Sequence, residues 1–94
     1  MVTYKAKFKY VEGGVHGEVL DFPGVITCGE NLDEARRLLR TALVDMAETN
    51  LLLGEPLPLP DPSRTDIDAD IEGPIHLLLT ASSHVAMTPQ EVLS

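Results

Sequence analysis

The chain has 94 residues, 44% of them apolar and few of them aromatic, and a formal net charge of −8. That is one domain with an aliphatic core, about what one sheet and one covering helix can build. The acidity disfavours nucleic acid or an anionic membrane as a direct partner and favours a basic one. Cys28 stands alone, so no intrachain disulfide is possible and a reducing, cytoplasmic setting fits. No apolar run approaches the roughly 18 residues of a membrane span and no leader pattern opens the chain, so neither secretion nor membrane insertion is expected. The charge is unevenly spread. Lys5, Lys7, Lys9, Arg36, Arg37 and Arg40 all fall in the first 40 residues, and beyond them Arg64 alone faces nine acidic residues.

Val2 to Val11 alternates. Val2, Tyr4, Ala6, Phe8 and Tyr10 point one way, and Thr3, Lys5, Lys7 and Lys9 the other, which is a strand with one polar face. The three lysines read as a basic patch or as protection of an exposed face; the overall acidity favours protection. Glu12-Gly13-Gly14 is a hairpin turn, and Val15 to Phe22 returns as a second strand. Asp21 to Gly24 (DFPG) is a second turn, with Pro presetting φ and Gly able to take φ > 0. Val25 to Cys28 is β-branched and apolar, and reads as a short buried strand closing a three-stranded meander. Gly29 ends it.

Asn31 is a good N-cap, with Glu34 three residues on and Asp33 suited to the positive end of the helix dipole. The helix is predicted over about residues 32–53. Leu32, Ala35, Leu38, Leu39, Ala42, Leu43 and Met46 fall in one arc, and Asp33 can pair with Arg37 at i,i+4. Gly54 is a natural C′ residue. Leu51, Leu52, Leu57 and Leu59 extend the apolar surface past the stripe and are candidates for a subunit interface, giving a homo-oligomer, dimer or tetramer.

Pro56, Pro58, Pro60 and Pro62 alternate with Leu57, Leu59 and Asp61. Such a segment is neither helix nor central strand. It is an extended arm, read either as a connector packed along the domain or as a peptide ligand for an aromatic groove; its place between two ordered elements favours the connector. Asp66, Asp68, Asp70 and Glu72 then alternate with Ile67, Ala69 and Ile71. An EF-hand loop fails because the glycine and the closing glutamate are missing at the required offsets. If the segment is extended, the carboxylates share one face. They form either a solvated surface or, with Asp61, an acidic stripe able to meet a basic protein.

Ile75 to Ala81 (IHLLLTA) reads as a fourth strand buried on both faces. Following a helix and a long connection, it is expected to lie parallel to an earlier strand. The class is therefore α+β in the order βββαβ: an antiparallel meander, a fourth parallel strand, and one long helix packed on one face. Residues 1–81 make the domain. Residues 82–94 are a tail in which Thr88-Pro89 can start a short helix. His16, His76 and His84 have no zinc-ligand spacing, no phosphate-binding glycine loop appears, and Cys28 lacks the context of a nucleophile. No cofactor, metal or catalytic residue is assigned, and the chain is not read as an enzyme.

The order βββαβ and several residues taken together resemble the HicB-like antitoxin family. They are Tyr4-x-Ala6-x-Phe8, Glu12-Gly13-Gly14, Phe22-Pro23-Gly24-Val25, Thr27-x-Gly29-x-Asn31-Leu32-x-Glu34-Ala35, and Gly54-Glu55-Pro56-Leu57-Pro58. The resemblance covers about residues 1–60. It implies a partial RNase H-like fold without nuclease carboxylates. It also implies a function: binding and neutralising a HicA-type toxin, a small basic mRNA interferase, by covering its active site. Many members carry a C-terminal DNA-binding module that represses their own operon. Only 13 residues follow Ala81 here, so direct DNA binding is not expected. Two alternatives accompany this reading: a solitary oligomeric binding protein of the same fold, and a degenerate nuclease whose carboxylates gather around a divalent metal. Under the antitoxin reading, Asp61, Asp66, Asp68, Asp70 and Glu72 are the candidate toxin-binding residues.

Overall fold

The computed structural model describes residues 2–78. Strand β1 (Val2–Val11) pairs antiparallel with β2 (Gly14–Val19), which pairs antiparallel with β3 (Ile26–Gly29). Helix α1 (Leu32–Leu52) follows, and β4 (Ile71–Leu77) completes a four-stranded sheet in the order β3-β2-β1-β4. The α+β class, the βββαβ order and the single helix on one face are as the sequence leads one to expect. The expected extension of the fourth strand to Ala81, the segment 82–86, the helix start at Thr88 and the 82–94 tail lie outside the described residues.

The orientation of the fourth strand corrects the sequence reading. β4 runs antiparallel to β1, pairing Phe8 with Ile71 at one end and Val2 with Leu77 at the other. The arm between α1 and β4 supplies the reason. It travels beside β1 in the same direction, from a contact with Lys5 at residues 62 and 64 to one with Tyr10 at Asp70. The chain thus reaches the far end of β1 before it turns and must come back antiparallel. A parallel crossover requires a connection that returns the chain to the starting end of its neighbour. β4 also begins at Ile71 rather than Ile75, and it is an edge strand. Ile75 and Leu77 are buried while Pro74 and His76, which alternate with them, are exposed, so only one face is covered. Pro74, with no N–H to give, sits where a sheet tolerates it.

The other edge also departs from expectation. β3 is not buried: Ile26 is 49% exposed and Cys28 is exposed, and the deeply buried residue of that stretch is Val25, in the turn before it. Ile26 pairs with Glu18 on the face turned away from α1, whereas Val25 points toward the helix side.

The core lies between the sheet and α1. Tyr4, Ala6 and Phe8 of β1, Val15 and Val19 of β2, and Ile75 and Leu77 of β4 meet Ala35, Leu39, Leu43 and Ala47 at helical i,i+4 spacing. Leu39 and Leu43, fully buried, each contribute about 1.5–3 kcal/mol relative to exposure. Tyr4 and Phe22 pack as a tilted pair with centroids 5.6 Å apart. The Asn31 side chain accepts from the Glu34 amide at 2.9 Å, and Glu34 reaches back to the Glu30 amide at 2.6 Å. Arg37 pairs with Glu34 rather than with Asp33. Gly29 allows β3 to run into the helix start: a Cβ there stands 2.6 Å from the Ala35 amide nitrogen. At the other end, Gly54 takes φ +73° and donates to the Leu51 carbonyl, turning the chain into the arm.

Candidate functional site

A row of contacts fixes the arm after α1, first to Tyr4 and Asp21 and then to the lysine face of β1. The Tyr4 hydroxyl donates to the Pro58 carbonyl at 2.7 Å. Asp21, buried in the turn after β2, accepts from the Asp61 amide at 2.7 Å and from the Arg64 guanidinium at 3.0 Å. Lys5 donates to the carbonyls of Pro62 and Arg64, Lys7 to the Asp66 carboxylate, and Lys9 to the Asp68 carbonyl. Tyr10 N–H donates to the Asp70 carboxylate, and the Asp70 amide to the Phe8 carbonyl. The lysines that looked like a basic patch or a protected face are therefore partners of the chain's own arm. Between arm and sheet a cleft of about 360 Å³ remains, lined by Thr3, Lys5, Asp21, Pro60 and Pro62.

The five candidate acidic residues separate into two groups. The segment is not extended: it turns at residues 62–63 and 67–68, the Ala69 amide donates to the Asp66 carbonyl, and the Asp68 amide donates to the Asp66 carboxylate. Asp66 and Glu72 are half-buried and turned inward. Glu72 accepts from the Thr65 hydroxyl and from the Asp66 amide, and lies 3.9 Å from Lys5. Lys7 also lies 3.4 Å from Glu18. Asp61, Asp68 and Asp70 are exposed. Asp61 holds the Ser63 hydroxyl and amide, Asp70 holds Tyr10, and the Asp68 carboxylate has no partner among the described residues.

The electrostatics follow this division. The hydrogen bond from Lys7, with the Asp68 amide behind it, holds the Asp66 carboxyl below its ordinary value. The Asp66 amide and the Thr65 hydroxyl do the same for Glu72, and the Ser63 hydroxyl for Asp61. Lys7 is raised by its bond to Asp66. Burial raises the Tyr4 hydroxyl, and the Asp21 carboxylate adds to this.

Of the interface candidates, Leu51 and Leu57 are half-buried, with Leu57 packed on the core, whereas Leu52 and Leu59 are exposed, Leu59 to 88%. Two residues at the centre of the arm's attachment, Asp21 and Arg64, are not legible as a pair in the sequence. The signal available was a matched spacing: lysines at 5, 7 and 9 against carboxylates at 66, 68 and 70. Among the described residues no group of three or more His, Cys, Asp or Glu side chains is placed to hold a metal ion, and no helix is long and apolar enough to cross a membrane.

No protein-family model and no curated protein sequence matches this chain. Solved structures do. The N-terminal domain of Burkholderia pseudomallei antitoxin HicB superposes with a TM-score of 0.66 at 24% identity, over 83% of this chain and 100% of that one. This chain has the HicB-like antitoxin fold. The full B. pseudomallei HicB superposes with a TM-score of 0.67 at 24% identity, over 82% of this chain and 64% of that one. A chain of the HicA3 and HicB3 toxin–antitoxin complex superposes with a TM-score of 0.64 at 21% identity, over 80% and 96%. In the present chain the HicB-like fold places an acidic arm across one sheet face and α1 across the other.

Proposed function

We propose that this chain is an antitoxin that binds and neutralises a small, basic HicA-type mRNA interferase, acting by binding and not by catalysis. The observation that carries the reading is the fold shared with a chain of the HicA3 and HicB3 complex over nearly all of that chain's length. Charge segregation supports it: a surface rich in carboxylates steers and registers a basic protein. Within the candidate stripe, Asp61, Asp68 and Asp70 are the groups offered to a toxin. Asp66 and Glu72 hold the arm in place, as Asp70 also does in part through the Tyr10 amide. An mRNA-cutting partner implies work in the cytoplasm, and an acidic chain that blocks such a partner has no need to touch nucleic acid itself.

Co-purification with a HicA-type toxin encoded beside this chain tests the reading. The wild type retains the toxin on an affinity column. Asp68→Lys, which disturbs no internal contact, lowers retention, and Asp68→Lys/Asp70→Lys lowers it further. Unchanged retention by the double variant removes this surface.

A second reading, a solitary oligomeric binding protein, is favoured by the exposure of Leu52 and Leu59. A neighbouring gene for a short basic protein supports the antitoxin reading over it.

A further inference from the structure

The cations of the described chain are mostly spent on carboxylates or carbonyls of the same molecule: Lys5, Lys7 and Lys9 on the arm, Arg37 on Glu34, Arg64 on Asp21. Arg36 and Arg40, one helical turn apart and both exposed, have no acidic partner among the described residues. Arg36 lies 5.8 Å from the Phe8 ring centroid. Both arginines line a groove of about 290 Å³ between α1 and β4, with Phe8, Ile71 and Ile75 in its walls and His76 at its rim. This groove has apolar walls and two uncommitted positive charges, on a chain whose net charge is −8.

The complementary surface lies at the other end of the same helix. No basic residue occupies the last turn of α1, so the negative end of its dipole is uncompensated. Leu52 and Leu53 are 59% and 67% exposed there, and Glu55, one residue beyond across Gly54, is exposed too. An apolar knob flanked by negative charge thus stands about 18–24 Å along the helix axis, at a rise of about 1.5 Å per residue, from a cationic groove with apolar walls.

We propose that the two surfaces belong together in different copies: the Arg36/Arg40 groove of one molecule receives the Leu52-Leu53-Glu55 knob of the next. Because the surfaces differ, the contact is head-to-tail and builds rings or short chains rather than a two-fold dimer. The proposal does not depend on the toxin reading, since it uses neither the acidic stripe nor the arm's attachment to β1.

Sedimentation equilibrium of the full chain tests it, with circular dichroism confirming that each variant is folded. The wild type associates with rising concentration, and added salt weakens the association. Arg36→Glu/Arg40→Glu is monomeric, and so is Leu53→Asp/Glu55→Lys. Mixing the two gives a heterodimer that grows no further when the intact groove meets the intact knob, that is, when both defects sit on the outer ends. A wild type that stays monomeric, a groove variant that still associates, or a mixture that stays monomeric overturns the proposal.

Discussion

Asp21 and Arg64 meet at 3.0 Å, the carboxylate 8% exposed and the guanidinium at the surface, and they join the turn after β2 to an arm 43 residues further on. Asp21 also accepts from the Asp61 amide. One buried carboxylate therefore holds both strands of a turn in the arm, whose Arg64 amide closes on the Asp61 carbonyl. Removing it leaves the Asp61 amide and the Arg64 guanidinium without that partner. Asp21→Ala is expected to cost about 1–3 kcal/mol, read from chemical denaturation. Arg64→Gln, on the exposed side of the same pair, costs about 1 kcal/mol or less. Equal losses from the two would show that Asp21 does not bind the arm through the Asp61 amide.

The arm's attachment is sensitive to acid. Asp66 and Glu72 are held below their ordinary values by Lys7 and by backbone and hydroxyl donors, so their contribution is complete above the unfolded carboxyl range. It is lost as pH falls below the ordinary carboxyl range and through their lowered folded values. Lys7 is shifted the opposite way, and its contribution is present up to the ordinary lysine range and lost only above about 10. Thermal stability is predicted to be flat through neutrality and to fall on the acid side. Lys7→Met makes the acid-side fall shallower, because Asp66 then loses the partner that depresses it. Superimposable acid limbs for wild type and Lys7→Met would contradict this assignment.

Two glycines are predicted to respond in opposite ways. A Cβ at Gly29 stands 2.6 Å from the Ala35 amide nitrogen, which is backbone and cannot swing aside. Gly29→Ala is expected to cost about 1–3 kcal/mol by forcing β3 and the start of α1 apart. A Cβ at Gly73 meets nothing within 4 Å. Gly73→Ala in β4 is expected to be neutral or to stabilise by up to about 1 kcal/mol, by reducing unfolded-chain freedom. Melting temperatures of the two variants check the contrast.

Leu39 is fully buried where the helix crosses the sheet. Leu39→Ala is predicted to cost about 2–5 kcal/mol from lost transfer energy and the cavity left behind. Leu59→Ala, at a position 88% exposed, leaves stability within about 0.5 kcal/mol of wild type. Denaturant midpoints with an unchanged slope separate the two.

Local patterns carried most of the fold. The period of two in β1, the DFPG turn, Asn31 with Glu34, and the Leu39–Leu43 spacing each act within a few residues, and each appears in the structure where the sequence places it. The errors came from long-range geometry. Whether β4 runs parallel or antiparallel depends on the path of residues 55–70, and that path is set by contacts to β1 about 60 residues away in the chain. The apolar run Val25–Cys28 suggested a buried strand, but β3 became an edge and only Val25 entered the core. The acidic stripe was visible as composition. The inward turn of Asp66 and Glu72 was not, because it requires knowing that the Lys5–Lys7–Lys9 face lies beneath them.

The proposed neutralisation of an mRNA interferase by this HicB-like fold has a direct test. The most direct measurement is RNA cleavage by purified HicA-type toxin from the neighbouring gene, titrated with this chain. Cleavage is predicted to stop as the chain approaches equivalence with the toxin, and Asp68→Lys/Asp70→Lys is predicted to shift that endpoint to higher concentration. Cleavage that continues unchanged in excess wild-type chain, with no complex on size-exclusion chromatography, would contradict an antitoxin role.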